Sequence, residues 1–262
     1  MHSLIDIGAN LTHESFQPDL EQVLERASTQ GIGPIVVTGA SASGNVAALN
    51  LTRRFSGLYC TAGVHPHEAS HYTEAYGSEL RLLGSAPEIV AMGECGLDFY
   101  RDLSPRQVQE RCFSAQLEIA CEIGKPVFLH ERDAHDRFVA ILGPFLKMLP
   151  KVVVHCFTGT RSQLETYLQL GCYIGITGWI CDERRGHGLK DFIGLVPPDR
   201  LMVESDAPYL LPRTIKPPPK SRRNEPCYLP YVVEAIADAV GKTCEQVAAE
   251  TTATAKEFFN LK

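Results

Sequence analysis

Short apolar segments recur along the chain at intervals that suit alternating strands and helices. Eight of them are rich in aliphatic or β-branched residues and lack regular polar alternation, which predicts strands buried on both faces, as in a parallel sheet. The predicted strands are Leu4–Ile7, Pro34–Thr38, Leu58–Ala62, Glu88–Met92, Pro126–Leu129, Val152–Val154, Cys172–Ile176 and Leu201–Val203.

Between these segments, apolar residues at three- and four-residue spacing predict amphipathic helices. The clearest are Asp19–Gln30, Ser43–Phe55, Pro105–Ile123 and Arg161–Leu170. Eight strand–helix units in 262 residues give about 33 residues per unit, which predicts an α/β fold of the (β/α)₈ TIM-barrel type. We expect residues 1–262 to form a single domain of this type.

An open doubly wound sheet is the alternative fold. It is expected to carry a glycine-rich phosphate loop after its first strand. The segment at that place, Asp6-Ile7-Gly8-Ala9-Asn10, has no such spacing, so the barrel is favoured.

Composition narrows the function classes. Hydrophobic residues make up 44% and charged residues 21%, and the net charge of −6 argues against an extended basic footprint on duplex nucleic acid. The 9 cysteines are scattered and form no CxxC pair, which predicts reduced thiols in a cytoplasmic protein. No apolar run approaches the roughly 18 residues of a membrane span, and the N-terminus does not resemble a signal peptide.

Polar residues follow several predicted strands at the end where barrel enzymes place their active sites. Glu94, His130, His155 and Asp206 come after the fourth, fifth, sixth and eighth strands. Burying such groups without partners costs several kcal/mol, and a shared cation removes that cost. Imidazole with carboxylate suits Zn²⁺ or Mn²⁺, or Mg²⁺ where nitrogens are fewer. The pattern therefore predicts a metal-dependent hydrolase.

Further side chains at the same end suit a phosphate-containing substrate. His65 and His67 follow the third strand, and strand alternation places them on one face. Trp179 offers a surface for stacking unpaired bases. Cations that suit backbone phosphates are concentrated after strands seven and eight; they are Arg184, Arg185, Arg213, Lys216, Lys220, Arg222 and Arg223.

The motifs around these residues resemble those of the TatD-related metal-dependent deoxyribonucleases, a family of amidohydrolase-like barrels. The similar segments cover nearly the whole chain; they are DIGANL, TAGVHPH, GECGLDFYRD, PVFLHERDAHDRF, VVVHCFTG, YIGITGWICDERRG and ESDAPYLLPR. The resemblance implies a 3′→5′ exonuclease that hydrolyses phosphodiester bonds of single-stranded DNA and RNA, in DNA repair or degradation.

By the same resemblance, Glu94, His130 and His155 hold the main cation. Asp206 orients or deprotonates the attacking water, or serves as a further ligand, so Glu94 and Asp206 are the expected catalytic carboxylates. His65, His67, Trp179, Arg184, Arg185, Arg222 and Arg223 are the expected substrate-binding residues.

One segment departs from the family pattern. Most relatives begin with D-x-H-x-H, whereas Gly8 and Asn10 replace the two histidines here. We therefore expect one firmly held ion, Mg²⁺ before Mn²⁺ or Zn²⁺, and a second that binds weakly. Asp6, Asn10 and Glu204 are candidates either to help hold that second ion or to support the ligands of the first.

Two other functions remain open on the sequence. One is an amidohydrolase-type enzyme acting on a small cyclic amide, lactone or phosphoester. Such enzymes often bridge two metals with a carboxylated lysine on strand four, where this chain has Glu94. The other is a binding or chaperone-like protein with a decayed site. We expect a monomer that binds 3′ ends of single-stranded DNA or RNA and no membrane.

Overall fold

The computed structural model describes residues 3–184 and 186–261. The strands are β1 (Leu4–Ala9), β2 (Ile32–Val37), β3 (Leu58–Ala62), β4 (Ile89–Asp98), β5 (Val127–Arg132), β6 (Val152–Val154), β7 (Tyr173–Ile176) and β8 (Leu201–Val203). The helices are α1 (Leu20–Thr29), α2 (Ala42–Arg54), α3 (Glu74–Gly84), α4 (Arg106–Ile123), α5 (His135–Leu142), α6 (Arg161–Gln169), α7 (His187–Phe192), α8 (Leu229–Val240) and α9 (Cys244–Phe259).

The strands follow one another in the sheet in chain order, from β1 to β8. At the end of β8, the Asp206 N–H donates to the Gly8 carbonyl at 2.8 Å and the Asn10 N–H to that of Ala207 at 2.7 Å. An unshuffled parallel order with helical connections is the topology of a (β/α)₈ barrel. The predicted fold class is confirmed, and the doubly wound alternative is wrong because that fold requires a reversal in strand order.

The chain divides into two compact units. The first comprises the chain up to Val37, Cys156–Leu168 and the chain from Tyr173 onward, and the second comprises Thr38–His155 and Gln169–Cys172. The single domain expected from the sequence therefore stays a prediction.

Each unit has its own apolar interior. In the first, Phe16, Val23 and Ile236 are fully buried. In the second, the buried rings of Phe113 and Phe138 stack with centroids 5.1 Å apart. Burial of such aromatic side chains is a main source of stability. No helix among the described residues is long and apolar enough to cross a membrane.

The structure differs from the sequence-based prediction most at β4. The predicted strand stops at Met92, but the observed one continues to Asp98. Two glycines allow this continuation, because Gly93 and Gly96 adopt φ of 129° and 147°. A Cβ at Gly96 would collide with the His130 carbonyl of β5. Glycine therefore permits a close, irregular pairing with β5, and Glu94 lies inside the strand.

Candidate metal centre

Glu94 of β4 is the centre of a histidine cluster within the second unit. The residue is only 6% exposed. Its Oε1 lies 2.8 Å from His155 Nε2, 2.9 Å from His130 Nδ1 and 3.2 Å from His65 Nε2. Three of the side chains expected to form a metal site, Glu94, His130 and His155, are thus brought together, and His65 joins them.

The electrostatics of the cluster favour a charged carboxylate. Burial alone would raise the pKa of Glu94, but the facing imidazoles of His65, His155 and His130 hold that pKa well below its usual range. Burial lowers the pKa of His65, which keeps that ring neutral. The pKa of His130 is raised despite burial, because the ring faces the carboxylates of Asp98 and Glu94.

Asp98, at the end of β4, is a second carboxylate of this cluster and was not among the predicted site residues. Its Oδ2 lies 2.8 Å from His67 Nε2 and 3.5 Å from His130 Nε2, and its side chain is 1% exposed. Burial alone would raise the pKa of Asp98, but the facing imidazoles of His130 and His67 and the hydrogen bond from the Arg101 N–H hold that pKa far below its usual range. The cluster therefore contains two buried anions.

Two buried amide side chains of α4 hold the backbone at Asp98 and next to His65. Gln109 of α4 accepts from the Asp98 N–H at 2.9 Å and donates to its carbonyl at 3.2 Å. Gln116 makes the same pair of bonds with Val64, at 2.7 and 3.0 Å, one residue before His65. Fully satisfied buried amides of this kind fix backbone position.

The hydrogen bonds of His65 determine which of its nitrogens carries the proton. The His67 backbone N–H donates to His65 Nδ1 at 3.1 Å. A neutral ring that accepts at Nδ1 carries its proton at Nε2, so Nε2–H is directed at Glu94. Although donor atoms of His65, Glu94 and His130 all lie within 4.8 Å of one another, this tautomer makes His65 a hydrogen-bond donor rather than a metal ligand.

The cluster fits a divalent cation. On the Glu94 side, His130 Nδ1 and His155 Nε2 face the same carboxylate oxygen at 2.9 and 2.8 Å. Two imidazole nitrogens and a carboxylate oxygen are suitable ligands for Zn²⁺, Mn²⁺ and related ions. A His ligand usually directs its other nitrogen at a carboxylate, and Asp98 lies on that side of His130.

Asp206 follows β8 in the first unit and is held by residues of β1 and the turn after it. Asn10 Nδ2 donates to Asp206 Oδ1 at 3.0 Å. The backbone of Asp206 is fixed by its bond to Gly8 and adopts a φ of 51°. Asn10, at a position where most relatives were expected to have a metal-binding histidine, therefore contacts a carboxylate instead.

Asp6 and Glu204, the other two candidates near β1 and β8, are fully buried. Asp6 Oδ1 accepts from the N–H groups of Ser205 at 2.9 Å and Gly8 at 3.2 Å, while its Oδ2 has no partner among the described residues. Burial raises the pKa of Asp6 to about 7. Glu204 Oε1 accepts from the Cys156 N–H at 2.6 Å. Glu204 thereby fixes the backbone immediately after His155.

The predicted cationic residues differ in their environments. Arg223 is 17% exposed and donates to Asp19 and Glu225, each at 2.8 Å, so its guanidinium joins α1 to the segment before α8. The Arg184 guanidinium lies 3.4 Å from Asp182. Arg222 is exposed and Trp179 is partly buried. Arg185 lies outside the described residues.

Comparison with known proteins adds independent information. The profile of the family described as TatD related DNase matches residues 5–260. A protein of Erwinia billingiae named 3′-5′ ssDNA/RNA exonuclease TatD is 51% identical over 260 residues, covering 98% of this chain and 99% of that protein. A protein of Salmonella typhimurium with the same name is 47% identical over 258 residues, with 98% and 99% coverage.

Solved structures of TatD homologues match the fold of this chain. The crystal structure of a TatD homologue from Escherichia coli K12 matches with a TM-score of 0.90 and 28% identity, covering 99% of this chain and 98% of that one. A TatD family hydrolase from Entamoeba histolytica matches with a TM-score of 0.91 and 24% identity, covering 100% and 99%; this second likeness concerns the fold alone.

Proposed function

The chain belongs to the TatD-related DNase family, and on that premise we propose that it is a metal-dependent 3′→5′ exonuclease of single-stranded DNA and RNA. The observation that carries the proposal is the convergence of His65, His130 and His155 on one oxygen of the buried Glu94. So many ionisable groups are costly to bury together unless a cation is shared among them.

Glu94, His130 and His155 would hold the cation. When bound, the ion supplies Lewis-acid polarisation of the phosphate and lowers the pKa of a bound water. Asp98 keeps the His130 ring oriented through the Nε2 side. His65 is a neutral N–H donor that orients Glu94, and we assign contacts with phosphate oxygens of the substrate to His67.

Asp206 is the proposed proton acceptor for the attacking water. It follows β8, and in barrels of this type the residues at the carboxyl ends of the strands share the catalytic face. Asn10 holds Asp206 Oδ1 and the Gly8 carbonyl holds its backbone N–H. These bonds restrict the carboxylate to one orientation, which is what a general base requires.

We propose Mg²⁺ as the working ion, with Mn²⁺ and Zn²⁺ as substitutes, because a phosphodiester substrate supplies further oxygen ligands of the kind that Mg²⁺ prefers. A second ion would bind weakly. All 9 cysteines are free thiols, which supports a reducing compartment such as the cytoplasm. We further propose a monomer acting in DNA repair or degradation; sedimentation equilibrium tests the monomer.

The test uses 5′-labelled single-stranded DNA and RNA, a blunt duplex and a closed circular single strand. We expect a ladder shortening from the 3′ end, slow cleavage of the duplex, no cleavage of the circle, and loss of all activity in EDTA that Mg²⁺ restores. Rapid cleavage of the circle would show an endonuclease. Activity that survives EDTA would overturn the metal mechanism, and tight binding without any cleavage would favour a binding protein.

A further inference from the structure

A pocket of about 530 Å³ lies within the first unit, between the loops that follow β7 and β8. Trp179 and the apolar side chains of Leu210, Pro212 and Ile215 line it, together with the cations Lys216 and Arg222. Its volume falls in the range of sites that take small organic ligands. Asp206 does not line it, although only four positions separate Asp206 from Leu210.

The walls are fixed by close packing and hydrogen bonds. The backbone N–H of Trp179 donates to Thr177 Oγ1 at 3.2 Å. A Cβ at Gly178 would collide with the Leu210 carbonyl, so the two loops meet where only glycine fits. Asn224 Nδ2 donates to the carbonyls of Ser205 and Tyr209, each at 2.7 Å. The pocket is therefore formed before any ligand binds.

Asp182 and three cations, Arg213, Lys216 and Arg222, line the pocket, and two of these cations are not neutralised. Lys216 and Arg222 are exposed, and their side chains have no hydrogen-bond or ion-pair partner in the described part of the chain. Arg213 differs, because it lies 3.4 Å from Asp182. In a chain with a net charge of −6, two unpaired cations beside an indole provide sites for an anion and a flat ring in the same ligand.

We propose that this pocket binds one nucleotide of the retained strand, on the 5′ side of the two nucleotides that flank the cleaved bond. The base stacks on Trp179 and its phosphate is bound by Lys216 and Arg222. This inference rests on the proposed exonuclease activity. A 3′ exonuclease releases its product from the 3′ side, so only the 5′ side supplies further nucleotides to a pocket separate from Asp206. The four positions from Asp206 to Leu210 span at most about 14 Å. A strand bound with its cleaved bond at Asp206 therefore reaches the pocket.

The test uses Trp179 as its own reporter, because it is the only tryptophan of the chain. The full-length Asp206→Asn protein with Mg²⁺ is titrated with an octathymidylate and with an abasic octamer of equal charge. We expect the octathymidylate to quench the tryptophan emission and the abasic strand to bind without quenching. Stacking is sequence-tolerant, so oligoadenylate is expected to quench as well.

Kinetics separate this pocket from the cleavage centre. On the octamer, Trp179→Ala is expected to raise KM about 5- to 150-fold with little change in kcat, and Trp179→Phe to restore most of the loss. On a dinucleotide, which is too short to enter the pocket, Trp179→Ala leaves kcat/KM unchanged. Equal losses on both substrates would show general damage to the enzyme and contradict the assignment.

The cations are tested with a variant matched in charge. Lys216→Ala with Arg222→Ala is expected to weaken octamer binding and to reduce the slope of log affinity against log salt by about 0.7. The control is Lys147→Ala with Arg111→Ala, two exposed cations elsewhere, which leaves both quantities unchanged. If the wild type cleaves the octamer but the octathymidylate does not quench Trp179 and Trp179→Ala does not change KM, the nucleotide-binding role of the pocket is refuted and the exonuclease activity is not. Quenching without wild-type cleavage would leave the pocket and overturn the exonuclease.

Discussion

Replacing Asp98 with asparagine tests whether the unpredicted carboxylate of β4 supports the metal centre. The Oδ1 atom of Asp98 accepts from the N–H groups of Tyr100 at 3.0 Å and Arg101 at 2.8 Å. An asparagine can retain those bonds through its oxygen. Its NH₂ group then replaces Oδ2 and points at His67 and His130, so the substitution removes a charge and turns an acceptor into a donor.

The expected loss of metal affinity follows from the role of His130. With Nδ1 directed at Glu94, the remaining Nε2 is 3.5 Å from Asp98 Oδ2, which is the arrangement of a carboxylate that supports a metal-bound histidine. Loss of such a partner typically costs 10- to 100-fold in metal affinity, or about 1.4 to 2.8 kcal/mol. We expect the Kd for Mn²⁺ to rise by a factor in that range, with kcat falling at subsaturating metal.

Calorimetric titration of Mn²⁺ into metal-free protein measures the effect directly. Asp102→Asn is the matched control, because Asp102 follows the same strand but is paired with the exposed Arg106; its Kd for Mn²⁺ should equal that of the wild type. Circular dichroism confirms that both variants are folded. An unchanged Kd for Asp98→Asn would show that the carboxylate does not act through His130, and the reasoning would fail.

Three further expectations concern the ligands, the cationic residues and the domain. His155→Ala should lower kcat on single-stranded DNA more than 100-fold, since a lost ligand removes several kcal/mol of transition-state stabilisation; substantial activity at saturating Mg²⁺ would contradict its role. Arg223→Ala should lower the free energy of unfolding in urea by about 1 kcal/mol, since it removes one of the two arginines that bind the mostly buried Glu225, while Arg26 stays 2.8 Å from that carboxylate; Arg222→Ala should change it by less than about 0.5 kcal/mol. A single domain should give coincident urea transitions by Trp179 fluorescence and circular dichroism.

The strands were predictable because their buried apolar runs are local signals. The end of β4 was not, because Gly93 and Gly96 look like the start of a loop in sequence. Only the structure shows that they permit close pairing with β5. The position of Asp98 depends on that pairing. A period-two reading from Glu94 along an uninterrupted strand would have placed Asp98 on the same side.

The cationic residues illustrate the opposite limitation. Arg222 and Arg223 are adjacent in sequence and look alike, yet Arg223 is bound to Asp19, which lies 204 residues away. An ion pair between distant segments leaves no periodic signal in the sequence. Local pattern predicts that a segment is cationic, but only tertiary structure separates a charge available to a substrate from one that joins two elements.

The first strand gives the departure from the common family motif a physical meaning. A histidine at position 10 would offer a nitrogen lone pair to a metal, whereas the Asn10 amide nitrogen has none and donates to Asp206. The Gly8 carbonyl accepts from the Asp206 N–H, so both motif positions contribute hydrogen bonds to the same residue. Removing two imidazoles thus need not disable the enzyme. On the proposed mechanism, catalysis would depend on the cation at Glu94 and on the orientation of Asp206, which its bonds to Asn10 and Gly8 fix.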